Sequence, residues 1–269
     1  MPQQQQSQTK LSLAIADIWT GISLRQIWTL LAWQAIRQRY RRSTLGPLWM
    51  TISMAVQMGT MGFLVTFLFN HSFERFLPYL CLGVIFWTLY SSLLNEGANT
   101  FLNYATYIKA IKRPFTLYIA TTIFKSSLEA AHHLIIYLII AMIFMVAPGE
   151  NSLWLLLTVP LAIMNIIWST LLLAIISTRF RDVPMIIQSV LTVAFWLTPI
   201  IYYPEQLGDK RILVDINPIT HMIDIIRLPV MDIAPSTLNL SVAVSMAVLG
   251  WCITLCVFAR YRSRITLWM

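Results

Sequence analysis

The residues of this chain that could do chemistry are few and widely spaced. Glu96, Lys125, Glu129, His132 and His133 are the ionisable groups in or beside its long apolar runs, and a charge at membrane depth is a functional candidate by default. Glu129 and His133 stand four apart on one helical face, while Glu129 and His132 have the Glu-x-x-His spacing that some metal sites use. One such pair supplies too few ligands for a metal centre. Lys125 and Glu129, also four apart, would form an ordinary ion pair along a helix. His71 and His221 read as solvated loop or gate residues rather than ligands. Cys81, Cys252 and Cys256 are odd in number, lie inside apolar runs and lack metal-ligand spacing, so no disulfide framework follows. The acids Glu74, Glu150, Glu205, Asp209, Asp215, Asp224 and Asp232 are dispersed along the sequence. A multispan glycosyl- or acyltransferase would concentrate such groups. The sequence carries no G-x-x-x-x-G-K-[ST] phosphate loop. The expectation is a chain without catalysis or a cofactor of its own.

The elements that position these residues are set by composition. Of 269 residues, 58% are hydrophobic and 11% charged, and mean hydropathy is +0.69. A soluble domain of this length could not bury so much apolar surface. Six segments have the roughly 20 apolar residues that cross a hydrocarbon core about 30 Å thick. They run from Trp49 to Phe69, Leu80 to Phe101, Leu128 to Val146, Leu153 to Ser177, Met185 to Tyr202, and Leu238 to Ala259. The net charge of +8 does not point to nucleic acid, because the basic residues cluster at the ends of the apolar runs. With both termini inside, fifteen Lys and Arg fall on the cytoplasmic side and four outside. That asymmetry predicts an all-α protein of six spans, with both ends cytoplasmic. No short apolar core with a cleavage site follows the Gln-rich start, so a cleaved signal peptide is not expected.

Three stretches between the spans are too polar to cross. Residues 1–21 read as a polar tail and 22–46 as an interface helix and elbow, with the six-span region over 47–259 and a cytoplasmic tail over 260–269. In the interface helix Ile27, Leu30, Leu31 and Ala35 fall at helical spacing, and its end carries Arg37, Arg39, Arg41 and Arg42. Gly46-Pro47 then breaks it. From Asn103 to Phe115, Lys109, Lys112 and Arg113 alternate with Tyr104, Tyr107 and Phe115, as in a positive-inside loop or a docking helix for a cytoplasmic partner. From Tyr203 to Thr237, Asn217-Pro218 marks a helix start, with asparagine as cap and proline in the first turn. This segment predicts short gate helices at the outer membrane face, carrying His221, Asp224 and Arg227.

Two spans carry polar stripes. Trp49, Ser53, Gln57 and Thr60 share a face of the first span, and Gln188, Thr192, Phe195 and Trp196 share a face of the fifth. Polar residues in a span are rarely turned to lipid. The stripes therefore line a lumen or form seams between helices. Gly59 and Gly62 of the first span read as close-packing positions. Trp87, Tyr90, Asn95 and Asn99 of the second are weaker lumen candidates. No filter-like loop or charged ring suggests an ion channel.

At Arg39-Tyr40-Arg41-Arg42-Ser43-Thr44-Leu45-Gly46-Pro47-Leu48-Trp49 the sequence resembles permeases of polysaccharide-exporting ABC transporters, the O-antigen, capsule and teichoic acid export family. The likeness continues at Arg179-Phe180-Arg181-Asp182, at Trp196-Leu197-Thr198-Pro199-Ile200-Ile201-Tyr202, and at Asn217-Pro218-Ile219-Thr220-His221 with Arg227 beyond. The resemblance implies a homodimer in the bacterial inner membrane, working with two copies of a separate nucleotide-binding subunit that holds ATP and Mg. The cargo it implies is a lipid-linked polysaccharide. A drug or small-lipid permease would share the same spans and docking helix.

Overall fold

A computed structural model describes residues 9–69 and 72–269, and His71 lies outside them. Among the described residues all regular structure is helical. Twelve α-helices follow in order: α1 Lys10–Ser23, α2 Arg25–Arg39, α3 Leu48–Phe69, α4 Phe73–Asn103, α5 Ala105–Ala110, α6 Phe115–Ile143, α7 Leu155–Arg179, α8 Val183–Leu197, α9 Ile212–Asp215, α10 Pro218–Val230, α11 Thr237–Tyr261 and α12 Ile265–Trp268. Short 3-10 turns at Glu150–Trp154, Pro204–Arg211 and Arg262–Arg264 join them.

Among the described residues five stretches are long and apolar enough to cross a membrane: Leu48–Leu68, Phe73–Ala110, Phe115–Ile143, Glu150–Arg179 and Thr237–Trp268. The expected fifth span, from Met185 to Tyr202, is shorter than its apolar run. Helix α8 has 15 residues, about 22 Å at 1.5 Å each, against a hydrocarbon core of about 30 Å. Proline explains the stop. Thr198, just before Pro199, is extended at ψ 132°, the conformation that a following proline ring imposes.

Helix α4 is the axis of the bundle. Every residue from Phe76 to Trp87 is buried, and α3, α6, α7, α8 and α10 all pack on it. Outside α7 lies α11. Asn165 joins the two, donating from Nδ2 to the Ala243 carbonyl at 3.1 Å and accepting from Trp168 Nε1 at 2.9 Å. Interhelical hydrogen bonds of this kind hold membrane helices together where no hydrophobic drive exists between them.

Helices α1 and α2 pack on α6. Residues 10–21 are thus helical rather than a polar tail; Thr9 caps α1 by accepting from Ser12 N at 3.2 Å. Asp17 faces inward from it and is 3% exposed. Its carboxylate accepts from Thr116 N at 3.1 Å and from Arg262 Nε at 2.8 Å, and Thr116 Oγ1 donates to the Asp17 carbonyl at 2.6 Å. Gly21 lets the backbones meet, because a Cβ there would lie 2.0 Å from Thr116 Oγ1. In α2 the inward face is Ala32 and Ile36, with Ile27, Leu31 and Ala35 half-buried, whereas Leu30 faces out. Between α2 and α3, Gly46 has a left-handed φ of +56°.

The basic segments gather at one end. Arg262 on Asp17, Arg181 donating to the Trp268 carbonyl at 3.0 Å, and the packing of α12 against α5 and α7 bring them together.

Candidate translocation surface

Helix α3 turns one apolar stripe inward, Met50, Met54, Met58 and Val65, at helical spacing against α4 and α6. Trp49, Ser53, Gln57 and Thr60 all lie on its exposed side. Ser53 satisfies its hydroxyl within the helix, donating to the Trp49 carbonyl at 2.8 Å. The Gln57 carboxamide has no hydrogen-bond partner among the described residues. Of the two glycines, Gly62 is a close-packing position, its notional Cβ 2.5 Å from Leu77 Cδ1. Gly59 is not, since nothing lies within 4 Å of a Cβ there.

Helix α8 packs on α4 and lightly on α7, and Leu191 is its buried residue. Gln188 and Thr192 are exposed; Thr192 Oγ1 donates to the Gln188 carbonyl at 3.0 Å, and the Gln188 carboxamide is unpartnered among the described residues. Phe195 meets Trp87 and Trp196 edge-on, both at 5.4 Å between centroids, leaving Trp196 64% exposed. Trp87 and Tyr90 of α4 are buried behind them. Thus α3 and α8 both pack on α4, and each carries an unpartnered carboxamide on its open side.

The arginine-rich end separates into two groups. Arg39 donates to Glu129 at 2.6 Å and lies 3.5 Å from Glu96, which also holds Lys125 at 2.6 Å. Burial works against the Arg39 charge, but the carboxylates of Glu129 and Glu96 outweigh it and hold its pKa above the ordinary value. Lys125 therefore pairs across helices with Glu96, not along α6 with Glu129 as the sequence suggested. Arg39 is a clasp of α2 onto α4 and α6. The other predicted docking residues, Arg37, Arg41, Arg42, Lys109, Lys112 and Arg113, are exposed and make no ion pair among the described residues. Tyr107 sits on α5, 55% exposed, while Ile108 anchors that short helix in the core. A hollow of about 290 Å³ is lined by Gln34 and Gln38 of α2 and by Tyr104 and Tyr107.

At the opposite end the predicted gate residues form a lock. Asn217 caps α10, accepting from Ile219 N at 3.0 Å, and Pro218 fills its first turn. The Asn217 Nδ2 also donates to Thr198 Oγ1 at 2.9 Å, reaching the stop of α8. Arg227 is 1% exposed; its Nε donates to Asp224 at 3.0 Å, its Nη1 donates to the Pro199 carbonyl at 2.7 Å, and its guanidinium lies 3.9 Å from the Tyr79 ring centroid. Tyr79 donates to the same Pro199 carbonyl at 2.9 Å. His221 is not solvated as expected: it is buried, with Nδ1 2.7 Å from Asn239 Oδ1 and Nε2 2.9 Å from the Asp215 carbonyl. Tyr79 and Pro199 as partners of Arg227 escaped the sequence reading, and only the Thr198-Pro199 helix stop hinted at one of them. Among the described residues no group of three or more His, Cys, Asp or Glu could hold a metal ion.

Two comparisons place this architecture. The family model of the ABC-2 type transporter matches residues 25–230, from the first turn of α2 to the end of α10. The chain belongs to the ABC-2 type transporter family. It is also 22% identical over 194 residues to the O-antigen export system permease protein RfbA of Myxococcus xanthus, covering 70% of this chain and 73% of that one. As an ABC-2 type transporter this chain is a transport subunit, and ATP is bound by a separate ABC partner. The matched segment contains both the α3/α8 surface and the Arg227 lock.

Proposed function

We propose that this chain is the membrane half of an exporter that moves a lipid-linked polysaccharide across the bacterial inner membrane, driven by two copies of an ABC ATPase. Two copies of the chain face each other through α3 and α8. Residues 47–259 make six crossings, α8 with Thr198–Tyr202 serving as the fifth, and both termini are cytoplasmic. The exposed basic groups of α5 and the turn after it, Lys109, Lys112 and Arg113, and those at the end of α2 and the α2–α3 elbow dock the ATPase. The helices after α8, locked through Arg227, form the outer gate. The likeness to an O-antigen export permease supports the cargo class.

The observation that carries the reading is the pair of unpartnered carboxamides, Gln57 and Gln188, on the open sides of two helices that share α4 as support. A carboxamide left to lipid without a partner costs several kcal/mol, on the order of 4–8 in a solvent that cannot hydrogen-bond. Water or polymer hydroxyls in a lumen supply the missing bonds, and Trp49, Phe195 and Trp196 offer faces to pyranose rings.

Cysteine substitution tests this. In the ATPase complex trapped open, Ser53→Cys, Gln57→Cys and Thr192→Cys should react with a water-soluble maleimide, whereas Ile52→Cys and Val193→Cys, exposed apolar positions to the side of the two stripes, should not. Unreactive polar positions would make the stripes seams between helices. Cells lacking the chain should accumulate the lipid-linked polymer inside. Normal surface polymer with loss of a drug or lipid flux would assign the other cargo class.

A further inference from the structure

A crevice of about 670 Å³ opens at the end of the bundle away from the arginine clusters, between the start of α4, the end of α6, the 203–215 segment, α10 and the first turn of α11. Its volume is that of a small-molecule site. Acids scattered through the sequence line this crevice, Glu74 and Glu205 among them. With Arg75 they are exposed, and their side chains form no hydrogen bond or ion pair among the described residues. Phe144 and Tyr203 add half-buried rings.

Thr220, on the first turn of α10, lines the same crevice and is 2% exposed, yet its hydroxyl has no partner. Its neighbours are satisfied: Asn217 reaches Thr198, His221 reaches Asn239 and Asp215, and Arg227 reaches Asp224 and Pro199. A buried orphaned hydroxyl among paired neighbours on α10 marks a place where a ligand atom belongs.

The wall selects the ligand's chemistry. An anion meets Glu74 and Glu205, a simple cation meets Arg75, and an alkyl chain leaves Thr220 and the three charges unmet. A pyranoside suits all of them, because each hydroxyl both donates to carboxylates and accepts from guanidinium, while its C–H face lies on an aromatic ring. We propose that this crevice is a second saccharide subsite, holding a hydroxyl-rich pyranoside unit of the polymer once it has left the α3/α8 path. The inference rests on the polysaccharide-export reading and adds a site outside the lumen.

The test uses the full chain in lipid nanodiscs, with Cys252 and Cys256 replaced by alanine and a single reporter cysteine. Ile233→Cys lines the crevice at an exposed position, and Lys210→Cys lies on the same outer segment away from it. The probe is the water-soluble oligosaccharide released by mild acid from the producing cells' own surface polymer. It should slow maleimide modification of Ile233→Cys and leave Lys210→Cys unchanged. Adding Thr220→Val should raise the concentration needed for protection about ten-fold, the loss of one good hydrogen bond. Thermal stability should hold, because the deleted hydroxyl has no partner in the protein. Absence of protection at Ile233→Cys, or protection untouched by Thr220→Val, would overturn the subsite. Polymer export by the wild-type complex reads the transport function independently: export without protection removes the crevice alone, and no export removes both.

Discussion

Arg227→Met is expected to be among the most damaging single changes in the chain, destabilising it by about 3–5 kcal/mol. The guanidinium is 1% exposed and ties three groups: the Asp224 carboxylate, the Pro199 carbonyl where α8 ends, and the Tyr79 ring on α4. Methionine fills most of the volume but leaves Asp224 buried and unpaired. Arg227→Lys should recover less than half of the loss, because one ammonium cannot serve Asp224 and Pro199 together and also lie flat on Tyr79. Gly83 leaves no slack, since a Cβ there would already stand 3.1 Å from Arg227 Nη1. Thermal unfolding of the purified chain checks both variants. A second change that removes the stranded carboxylate, Asp224→Leu with Arg227→Met, should restore part of the stability. If Arg227→Met unfolds like the wild type, the lock does not hold the outer segment.

Reversing charge at Lys109, Lys112 and Arg113 together should leave the fold intact and remove the ATPase. These residues are exposed and make no ion pair among the described residues, so glutamates there cost the chain itself little. On a docking surface, like-charge contacts cost several kcal/mol, which weakens association about 100-fold or more. Copurification of the ATPase and ATP-driven export should fall together, with normal insertion and thermal stability. Arg39→Ala should do the reverse, since its partners are Glu129 and Glu96: stability falls while the ATPase still copurifies. Retained copurification in the triple variant would move the docking surface elsewhere.

Local pattern made the helical class, the basic end and the Gly46 elbow readable, because each depends on composition or on one turn of chain. The α3 stripe was legible for the same reason. Met50, Met54 and Met58 bury one side, so Ser53 and Gln57 must take the other. Partners distant in sequence were not legible. Nothing near Lys125 announces that Glu96, 29 positions away, outcompetes Glu129 one turn along. His221 read as solvated because its loop is polar, whereas Asn239 and Asp215 enclose it only after α10 folds back. The length of α8 was overestimated because hydropathy continues through Ile200 and Ile201 after proline has ended the helix.

The Asp17 knot bears on how the chain matures. Asp17 and Arg262 are 245 positions apart, so α1 cannot complete its hydrogen bonds until residue 262 has left the ribosome. Until then a carboxylate destined for burial waits for its cation, and contacts of such separation form late. The pairing ties the stability of α1 to synthesis through residue 262: a product ending before Arg262 carries Asp17 without its counter-charge and should be cleared faster by membrane proteases. Pulse-chase of a chain truncated after Tyr261, compared with one ending at Ile265, reads that difference directly.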